Sequence, residues 1–342
     1  MPKPAFRCLL GLLLAACALC DPGTARAWTP DGHRTIGAIA DKLLQGTRAA
    51  NEVRTILGGV SLADAAVWAD CAKGVDPSTL EYRGSAAHPE CAPFETPTGK
   101  AAMVDFVQRN ATGCHPKPDE EICHKQYHYA DVSVQHHDYQ PSYVGARDDD
   151  VVHAAAAAIA VLQGGAAPAP FSIKDKREAL LVLAHYVGDM HQPLHIGAVY
   201  LDAAGKIVNP EAGGHDPATE TRGGNRITIK GSAANLHATW DAIPPPFFAD
   251  SVNEKWLDQA RAIAPTPGPV TGWPAAWATD TQKQADKALA VLKFGARSEQ
   301  NQTWSTKLSS AYAASMTAAK RAQLTKAGAR LAQLLQKIWP AD

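Results

Sequence analysis

The segment "KREALLVLAHYVGDMHQPLH", residues 176–195, combines a helical pattern with three of the thirteen histidines of the chain. Ser172 and Asp175 have the spacing of a capping box ahead of it, and Pro193 marks the region where the helix should end. His185 and Asp189 are four residues apart, so they share one face of this helix. Since their neighbours are apolar, the two side chains should point into a core or a cleft.

The pattern on either side of this segment is also helical. Helices are predicted at 30–45, after the capping box that begins at Ser61, at 150–163, at 276–294 and at 303–338. The strand candidates are "AVYLDAAGKIV" (198–208) and "GNRITIKG" (224–231), which we expect to form a small hairpin or flap. Because strands and helices do not alternate and no repeat is present, the predicted fold class is mainly α, as a single compact helical domain.

The first twenty residues, "MPKPAFRCLLGLLLAACALC", carry two cations and then an apolar run too short to span a membrane. Ala25-Arg26-Ala27 has the small-x-small pattern of a cleavage site, which predicts a signal peptide at 1–27 and a mature chain that begins at Trp28. The protein should then be secreted or periplasmic. A lipoprotein anchor at Cys17 is the alternative. No further long apolar run follows, so no stable membrane insertion is expected.

The mature chain, 28–342, is expected to be one domain with a cysteine-bearing, loop-rich insertion at about 74–127. Its four cysteines are an even number in an exported protein, which predicts disulfides without specifying their pairing: Cys71, Cys91, Cys114 and Cys123. Without the leader, 30 basic and 33 acidic residues remain, a formal net charge of −3. No basic surface indicates a polyanion partner, so positive charge for such a partner must come from something bound.

The pair of His185 and Asp189 has a counterpart at His237 and Asp241, again His-x-x-x-Asp among apolar neighbours. One such pair is more often a structural hydrogen bond than a metal site. Two pairs together with His195 favour a metal. Neutral imidazole and carboxylate are zinc ligands, and the absence of cysteine from these runs favours a site with open positions, which can support catalysis.

The segment "WTPDGH", residues 28–33, places Thr29 as the N-cap of a helix and Pro30 at its first position. Trp28 and His33 then occupy the two positions that a hydrophobic staple brings together. If the leader is removed, Trp28 carries a free α-amino group beside His33. Its amine and carbonyl together with the imidazole would form a chelating set, although spacing alone favours an ordinary staple.

The ordered set of "WTPDGH", "AVWAD", "YHYADV", "HYVGDMHQPLH" and "GGN" followed by "NLHATWD" resembles the zinc-dependent single-strand nuclease and 3′-nucleotidase family. This family belongs to the zinc phospholipase C superfamily, and the resemblance covers nearly the whole mature chain. It implies a trinuclear zinc site in a cleft. It also implies hydrolysis of single-stranded DNA and RNA to 5′-phosphorylated nucleotides by a zinc-activated hydroxide, and dephosphorylation of 3′-mononucleotides.

The resemblance implies three Zn²⁺ ions per chain and assigns their ligands. One ion would be held by four side chains: Asp70, His128, His185 and Asp189. A second would share Asp189 and take His33 with the amine and carbonyl of Trp28. The third would be held by His195, His237 and Asp241. His191 would not bind metal, and the histidines outside the motifs, His124 among them, are predicted to lie at the surface.

The resemblance also implies the residues that handle the substrate. Asp70 would orient the attacking hydroxide, and Lys73 and Asn225 would contact the phosphate. Lys73 stands where many members have an arginine, so it supplies charge without a bidentate fork. Tyr129 and Asp131 would hold a base, by stacking and by hydrogen bonding. A duplex forbids this contact, which predicts a preference for single strands.

Two other functions fit the same residues. A zinc phospholipase C would use the same metals on a lipid phosphodiester and needs an apolar rim, for which Phe247 and Phe248 are the candidates. A secreted binding protein would use zinc only to hold its helices together. The protein is expected to be a monomer.

Overall fold

The computed structural model describes residues 28–84, 88–111 and 123–341. The predicted signal peptide, the alternative anchor at Cys17 and Cys114 lie outside these residues. Twelve α-helices lie within them: α1 (Pro30–Leu44), α2 (Arg48–Leu57), α3 (Leu62–Ala65), α4 (Trp68–Ala72), α5 (Pro97–Arg109), α6 (Val151–Leu162), α7 (Lys176–Asp189), α8 (Pro193–Ile196), α9 (Leu236–Asp241), α10 (Glu254–Arg261), α11 (Trp273–Leu289) and α12 (Ser310–Ile338). The mainly α fold class is confirmed.

Helix α7 lies at the centre of the fold. Every residue from Glu178 to Asp189 is buried, and the helix contacts α6, α12, α2 and α3. Its N-cap is Asp175, whose side chain accepts a hydrogen bond from the backbone N–H of Glu178. The N-cap is therefore Asp175 and not Ser172, where the predicted capping box placed it. The helix ends at Asp189, and Gln192 and Pro193 begin the separate short helix α8.

Helix α1 begins at Pro30 as predicted and packs tightly against two neighbours. At Gly37 an added Cβ would lie 2.3 Å from the carbonyl oxygen of Leu62 in α3. At Gly328 of α12 it would lie 2.5 Å from Cβ of Ile39 in α1. Glycine is therefore required where α1 crosses α3 and α12. These contacts fix the position of the first turn of α1, which carries His33.

The sheets are small and differ from the predicted hairpin. Strand β1 (Val132–Ser133) pairs in parallel with β2 (Gly197–Ala198), and β3 (Ile227–Ile229) pairs in parallel with β4 (Trp304–Thr306). Segment 198–208 turns back on itself through one antiparallel bridge between Leu201 and Ile207. The two segments predicted to pair with each other thus pair elsewhere, because β4 supplies a partner from a distant part of the chain.

The segment at 74–127 contains more regular structure than the predicted loop. Helix α5 is capped by Thr96, whose side chain accepts a hydrogen bond from the backbone N–H of Gly99, and it buries Met103, Phe106 and Val107. A disulfide joins Cys71 to Cys91, and Cys123 is also disulfide-bonded. The disulfide prediction is thereby confirmed for Cys71 and Cys91. Cys71 lies in α4, so this bridge restrains the helix that carries Asp70.

Taken singly, none of the described helices has both the length and the apolar composition to cross a membrane. One pair bent by 53°, Arg48–Leu57 with Leu62–Ala72, meets the length and composition criterion when taken together.

Candidate metal centre

Four side chains from three parts of the chain meet beside α7. His185 and Asp189 project from α7, Asp70 from α4, and His128 from the end of the 3₁₀ turn Cys123–His128. Nδ1 of His128 lies 2.9 Å from Oδ2 of Asp189 and 3.0 Å from Nε2 of His185. Oδ1 of Asp70 lies 3.6 Å from Nε2 of His185. We call Asp70, His128, His185 and Asp189 the first group.

Asp189 connects the first group to His33. Its Oδ2 faces His128 and His185, while its Oδ1 lies 3.4 Å from Nε2 of His33. The imidazole of His33 stacks on that of His185, with 3.8 Å between the ring centroids. Gly188 makes this approach feasible, because a Cβ there would lie 2.7 Å from Nδ1 of His33. The two oxygens of one carboxylate thus face two different sets of imidazole nitrogens.

His195 of α8 and His237 and Asp241 of α9 form a separate cluster. We call it the third-ion group, because these three residues are predicted to hold the third zinc ion. Nε2 of His195 lies 3.1 Å from Nε2 of His237. The carboxylate of Asp241 lies 3.4 Å from Nε2 of His237 and 3.8 Å from Nε2 of His195. All three side chains are buried.

Backbone carbonyls determine the orientation of three of the imidazoles. Nδ1 of His185 lies 2.6 Å from the carbonyl oxygen of Ala66, that of His195 2.8 Å from the oxygen of His128, and that of His237 2.8 Å from the oxygen of Gly223. A carbonyl oxygen only accepts hydrogen bonds, so each Nδ1 carries the proton. Each Nε2 then presents a lone pair to its cluster, which is the orientation of a metal-binding histidine.

Bound cations explain the positions of these His and Asp atoms better than hydrogen bonds between the side chains do. Two Nε2 lone pairs that face each other at 3.1 Å, as in His195 and His237, cannot bond to each other. Among the described residues, both ring nitrogens of the buried His33 and Oδ1 of the buried Asp189 also have no hydrogen-bond partner. A tetrahedral Zn²⁺ with ligands at about 2.0–2.2 Å separates those ligands by about 3.3–3.6 Å. The contacts within the first group, 2.9–3.8 Å, bracket this range.

Burial favours the neutral, metal-binding form of three of the imidazoles, whereas at His185 the charges of Asp189 and Asp70 outweigh burial and raise the pKa. Burial lowers the pKa of His33 to about 4, against the opposing charge of Asp189. It also lowers the pKa of His128 and His195 below the usual value. An imidazole that is neutral at ordinary pH keeps its lone pair for a cation.

The surroundings shift the pKa values of Asp189 and Asp241 in opposite directions. Burial opposes ionisation of Asp189, but the charge of His185 and a hydrogen bond from His128 outweigh it and hold the pKa well below the usual value. At Asp241 burial prevails and raises the pKa well above the usual value, although Gln192 donates to the carboxylate. A buried carboxylate of this kind is ionised only beside a positive charge, so the third-ion group favours a cation.

Asp70 lies at the accessible side of the first group. Its side chain is 18% exposed, and Nζ of Lys73 lies 2.9 Å from its Oδ1. Burial would raise the pKa of Asp70, but Lys73 and His185 outweigh this effect and leave the pKa below the usual value. The other members of the first group are buried. Water or a ligand therefore reaches this group beside Asp70 and Lys73.

The residues predicted to hold a base lie close to His128 in the chain. Tyr129 directly follows His128, Asp131 comes two residues later, and both are half-buried. The backbone oxygen of Asp131 accepts a hydrogen bond from the hydroxyl of Tyr200, and its carboxylate lies beside Gly223. The carbonyl oxygen of Gly223 also accepts a hydrogen bond from Nδ1 of His237, so the carboxylate of Asp131 lies near the third-ion group.

Asn225 supports the loop that holds His237. Its amide donates to the carbonyl oxygen of Arg222, and its oxygen accepts from the amide of Asn235. Asn235 is the N-cap of α9. The sequence "GGN" thus positions the helix that carries His237 and Asp241.

The first residues of the described chain lie against the same centre. The buried indole of Trp28 donates to the carbonyl oxygen of Gly188, between His185 and Asp189. Thr29 occupies the N-cap position of α1, but its hydroxyl lies 3.4 Å from the carbonyl oxygen of Asp241 instead of capping the helix. Residues 28 and 29 therefore bridge α7 and the third-ion group.

Two side chains that sequence reasoning missed support the third-ion group. Nε2 of Gln192 donates to Oδ1 of Asp241 over 2.7 Å. Nζ of Lys320, buried in α12, lies 2.6 Å from the carbonyl oxygens of Thr239 and Ala242 at the end of α9. The "DMHQPLH" motif contained Gln192, but no local signal distinguishes Lys320 from the other lysines.

Two of the histidines predicted not to bind metal have different outcomes. His191 is buried, and its ring contacts the carbonyl oxygen of Val187 and the guanidinium of Arg330, as expected for a structural residue. His124 was predicted at the surface, but it is buried against Phe106 of α5. That prediction was wrong because helix α5, which covers His124, was itself missed.

The protein is helical, and three sets of His and Asp side chains in the described part of the chain could hold metal: His33, Asp70 and His185; His128, His185 and Asp189; and His195, His237 and Asp241. The chain belongs to the S1/P1 nuclease family, whose model matches residues 28–340. A search of curated proteins found no match to the chain. Membership of this family supports a nuclease or phosphodiesterase function.

Proposed function

We propose that the protein is a zinc-dependent nuclease that hydrolyses single-stranded DNA and RNA to 5′-phosphorylated nucleotides and also dephosphorylates 3′-mononucleotides. The observation that carries the proposal is the carboxylate of Asp189, whose two oxygens face His33 on one side and His128 and His185 on the other. A carboxylate in this position suits a pair of closely spaced ions. Paired metals of this kind are typical of enzymes that cleave phosphoesters.

The donor atoms suit zinc. Imidazole nitrogen and carboxylate oxygen are its usual ligands, and no cysteine lies in the clusters. The first group would hold one ion, and His33 with Asp189 and the amine and carbonyl of Trp28 a second. The third-ion group would hold another. Bound zinc would neutralise the phosphate and lower the pKa of water from about 15.7 towards about 7.

The chain itself would orient the reactants. Asp70 lies at the accessible side of the first group, where its carboxylate can accept a hydrogen bond from the attacking water. Lys73, beside Asp70, would contact a non-bridging oxygen of the phosphate and offset its charge. Asn225 would also contact the phosphate. One of its amide hydrogens bonds to Arg222 and its oxygen bonds to Asn235, so the contact would use the other amide hydrogen.

Selection of single strands would rest on Tyr129 and Asp131. A base can stack on Tyr129 and present its edge to Asp131 only if it is unpaired. Since Tyr129 and Asp131 lie within three residues of His128, the base would bind next to the first group. This accounts for a strand preference by base recognition, independently of the net charge of the chain.

Export fits this proposal. Cleavage after Ala27 would free the α-amino group of Trp28, and the disulfide between Cys71 and Cys91 suits an oxidising compartment. We propose a monomeric protein that is secreted or periplasmic. Mass spectrometry of the mature N-terminus together with zinc analysis tests both points, since the proposal requires a start at Trp28 and three zinc ions.

The activity test uses the zinc-loaded mature protein. Linear single-stranded DNA should be cut faster than duplex DNA and leave 5′-phosphates, and Asp70→Asn should remove most of this activity while the protein stays folded. Asp258→Asn, at an exposed position in α10, is the matched control. Equal rates on both DNA forms would refute the strand preference. A loss of folding without a specific loss of activity would indicate the non-catalytic binding protein.

The phospholipase alternative is disfavoured by the packing of its candidate rim. Phe247 and Phe248 are half-buried and pack against the main core, and Phe247 contacts Trp256 edge to face. They are therefore not available as an apolar edge for a membrane. Release of phosphocholine from lecithin vesicles, compared with release of nucleotides, distinguishes the two activities.

A further inference from the structure

A separate pocket of about 580 Å³ lies between the C-terminal end of α11 and the first turns of α12, with Trp240 of α9 in its wall. The candidate metal ligands are not among the residues that line it. Its volume lies within the range of about 300–1,000 Å³ that is typical of small-molecule sites. The pocket is therefore large enough for a nucleotide-sized ligand and distinct from the metal centre.

Three lysines make this pocket positively charged. Lys287, Lys293 and Lys307 line it, and none of its lining residues is acidic. Within the described ranges, no carboxylate lies at ion-pair distance from any of the three ammonium groups. The whole chain has a formal net charge of −1, so three uncompensated cations around one cavity are a local exception. Such a field attracts an anion.

The rest of the lining suits a ligand with a flat apolar part. Val291, in the rim, is 68% exposed, and Met316 and Leu292 lie deeper. The hydroxyl of Tyr312 accepts a hydrogen bond from the indole N–H of Trp240. Apolar side chains next to ammonium groups match the two parts of a nucleotide, its base and its phosphate.

The pocket shares helix α9 with the third-ion group. Trp240 lines the pocket and directly precedes Asp241 of the third-ion group on the same short helix. A strand whose scissile phosphate lies at the metals extends beyond that site in at least one direction. The pocket adjoins the same helix, α9, that carries His237 and Asp241.

We propose that this pocket is a subsite for single-stranded nucleic acid, in which Lys287, Lys293 and Lys307 contact phosphates of the strand outside the metal centre. The proposal rests on the proposed nuclease function. A lipid surface fits less well, because its attachment requires apolar side chains that protrude, whereas this lining is concave and Val291 is the single large hydrophobic side chain that is exposed among the described residues.

The test replaces the three lysines together, as Lys287→Gln, Lys293→Gln and Lys307→Gln in the zinc-loaded full-length mature protein. For a long single-stranded oligonucleotide, KM should rise, and the slope of log(kcat/KM) against log salt should become shallower by about 2, at about 0.7 for each phosphate that is no longer neutralised. Hydrolysis of a 3′-mononucleotide should be unchanged, because it does not reach the pocket.

The matched control replaces three exposed lysines away from the pocket: Lys206→Gln, Lys255→Gln and Lys337→Gln. It has the same net charge as the test variant and should keep the wild-type slope. Identical slopes for the two triple variants would overturn the subsite. A loss of binding to phosphatidylserine vesicles with unchanged DNA kinetics would overturn it in favour of a lipid surface.

Failure of the proposed function gives a different result. If the wild-type protein cleaves neither oligonucleotide nor mononucleotide, the nuclease proposal fails. Binding of a phosphorothioate oligonucleotide, measured by fluorescence anisotropy, then decides on the pocket alone. Weaker binding by the test variant than by the control supports the subsite, and equal binding refutes it.

Discussion

The first group and the third-ion group use the same two kinds of side chain on very different supports. His185 and Asp189 lie on a helix of fourteen residues whose surface is almost entirely buried. His195, His237 and Asp241 lie on helices of four and six residues. Helices this short are not stable by themselves. Core packing of α7 therefore holds His185 and Asp189, whereas the third-ion group depends more on individual hydrogen bonds.

The supports of the third-ion group come from distant parts of the chain. Gln192 donates to the carboxylate of Asp241, Gly223 accepts from His237, and Lys320 binds the carbonyl oxygens at the end of α9. Thr29 contacts the backbone of Asp241 from the start of α1. This difference predicts that single substitutions outside the ligands should affect the third-ion group more than the first group.

The largest effect is expected for Asp189→Asn. The substitution removes the charge shared by two sites, so we expect loss of two zinc ions and a decrease in kcat of at least about 100-fold, the upper end for residues that only support a ligand. Zinc analysis and steady-state kinetics measure both quantities. Asp241→Asn, the matched variant in the third-ion group, should lose one ion. If both variants lose one ion, the bridging role of Asp189 is wrong.

Gln192→Ala should have the next largest effect. It removes the donor to Asp241 and the cap of α8, and we expect one zinc ion to bind about 10–100-fold more weakly. Competition with a chromogenic chelator measures the affinity. Gln282→Ala is the control, because its amide also donates to buried carbonyls, those of Val132 and Ser133, without contacting the clusters. Equal zinc affinities in the two variants would contradict this role for Gln192.

Lys320→Met should act mainly on stability. It keeps the aliphatic part of the side chain but leaves two carbonyl oxygens of α9 without their donor, which should cost about 1–3 kcal/mol in unfolding free energy. Urea unfolding of the zinc-loaded protein checks the value. Lys326→Met breaks a half-exposed ion pair with Asp280 and should cost at most about 1 kcal/mol. A larger loss from Lys326→Met would argue against the role of Lys320.

The smallest effect is expected for Thr29→Val. The hydroxyl of Thr29 reaches the carbonyl oxygen of Asp241 over 3.4 Å, but its backbone N–H also donates to that oxygen over 3.1 Å. Because the backbone bond remains, we expect a decrease of about 0.5 kcal/mol, at the low end for a hydrogen bond. Thermal unfolding with and without zinc measures it. A loss of zinc from Thr29→Val would show that the hydroxyl couples the two groups.

Much of the helical structure was predictable because its signals are local. Thr29 and Pro30 mark the start of α1, and Ser61 caps α3 through the backbone N–H of Asp64. Helix α2 had equally readable signals in Thr47 and Gly58 but was not predicted. Helix α5 was missed because Pro97 and Gly99 resemble loop composition. In the structure they form its first turn.

The pairing of the strands was not predictable. Strands β3 and β4 have three residues each and are separated by more than seventy residues, so neither carries a periodic pattern that specifies its partner. The hairpin prediction paired segment 224–231 with the nearest strand candidate along the chain, segment 198–208. Trp304 and Ile227 are buried together in one hydrophobic cluster, and this packing instead favours the distant partner.

The sequence by itself determined the helical class and indicated the residue types of the candidate metal centre, because helix caps, His-x-x-x-Asp spacing and motif order are short-range properties. Only the tertiary structure decided how Asp70, His128 and Asp189 meet, which oxygen faces which imidazole, and which supports hold each ring. Those supports are largely backbone carbonyls, such as those of Ala66 and Gly223, and a carbonyl carries no residue identity. Its position depends on the packing of helices that are distant along the chain, so it becomes defined only when the core forms.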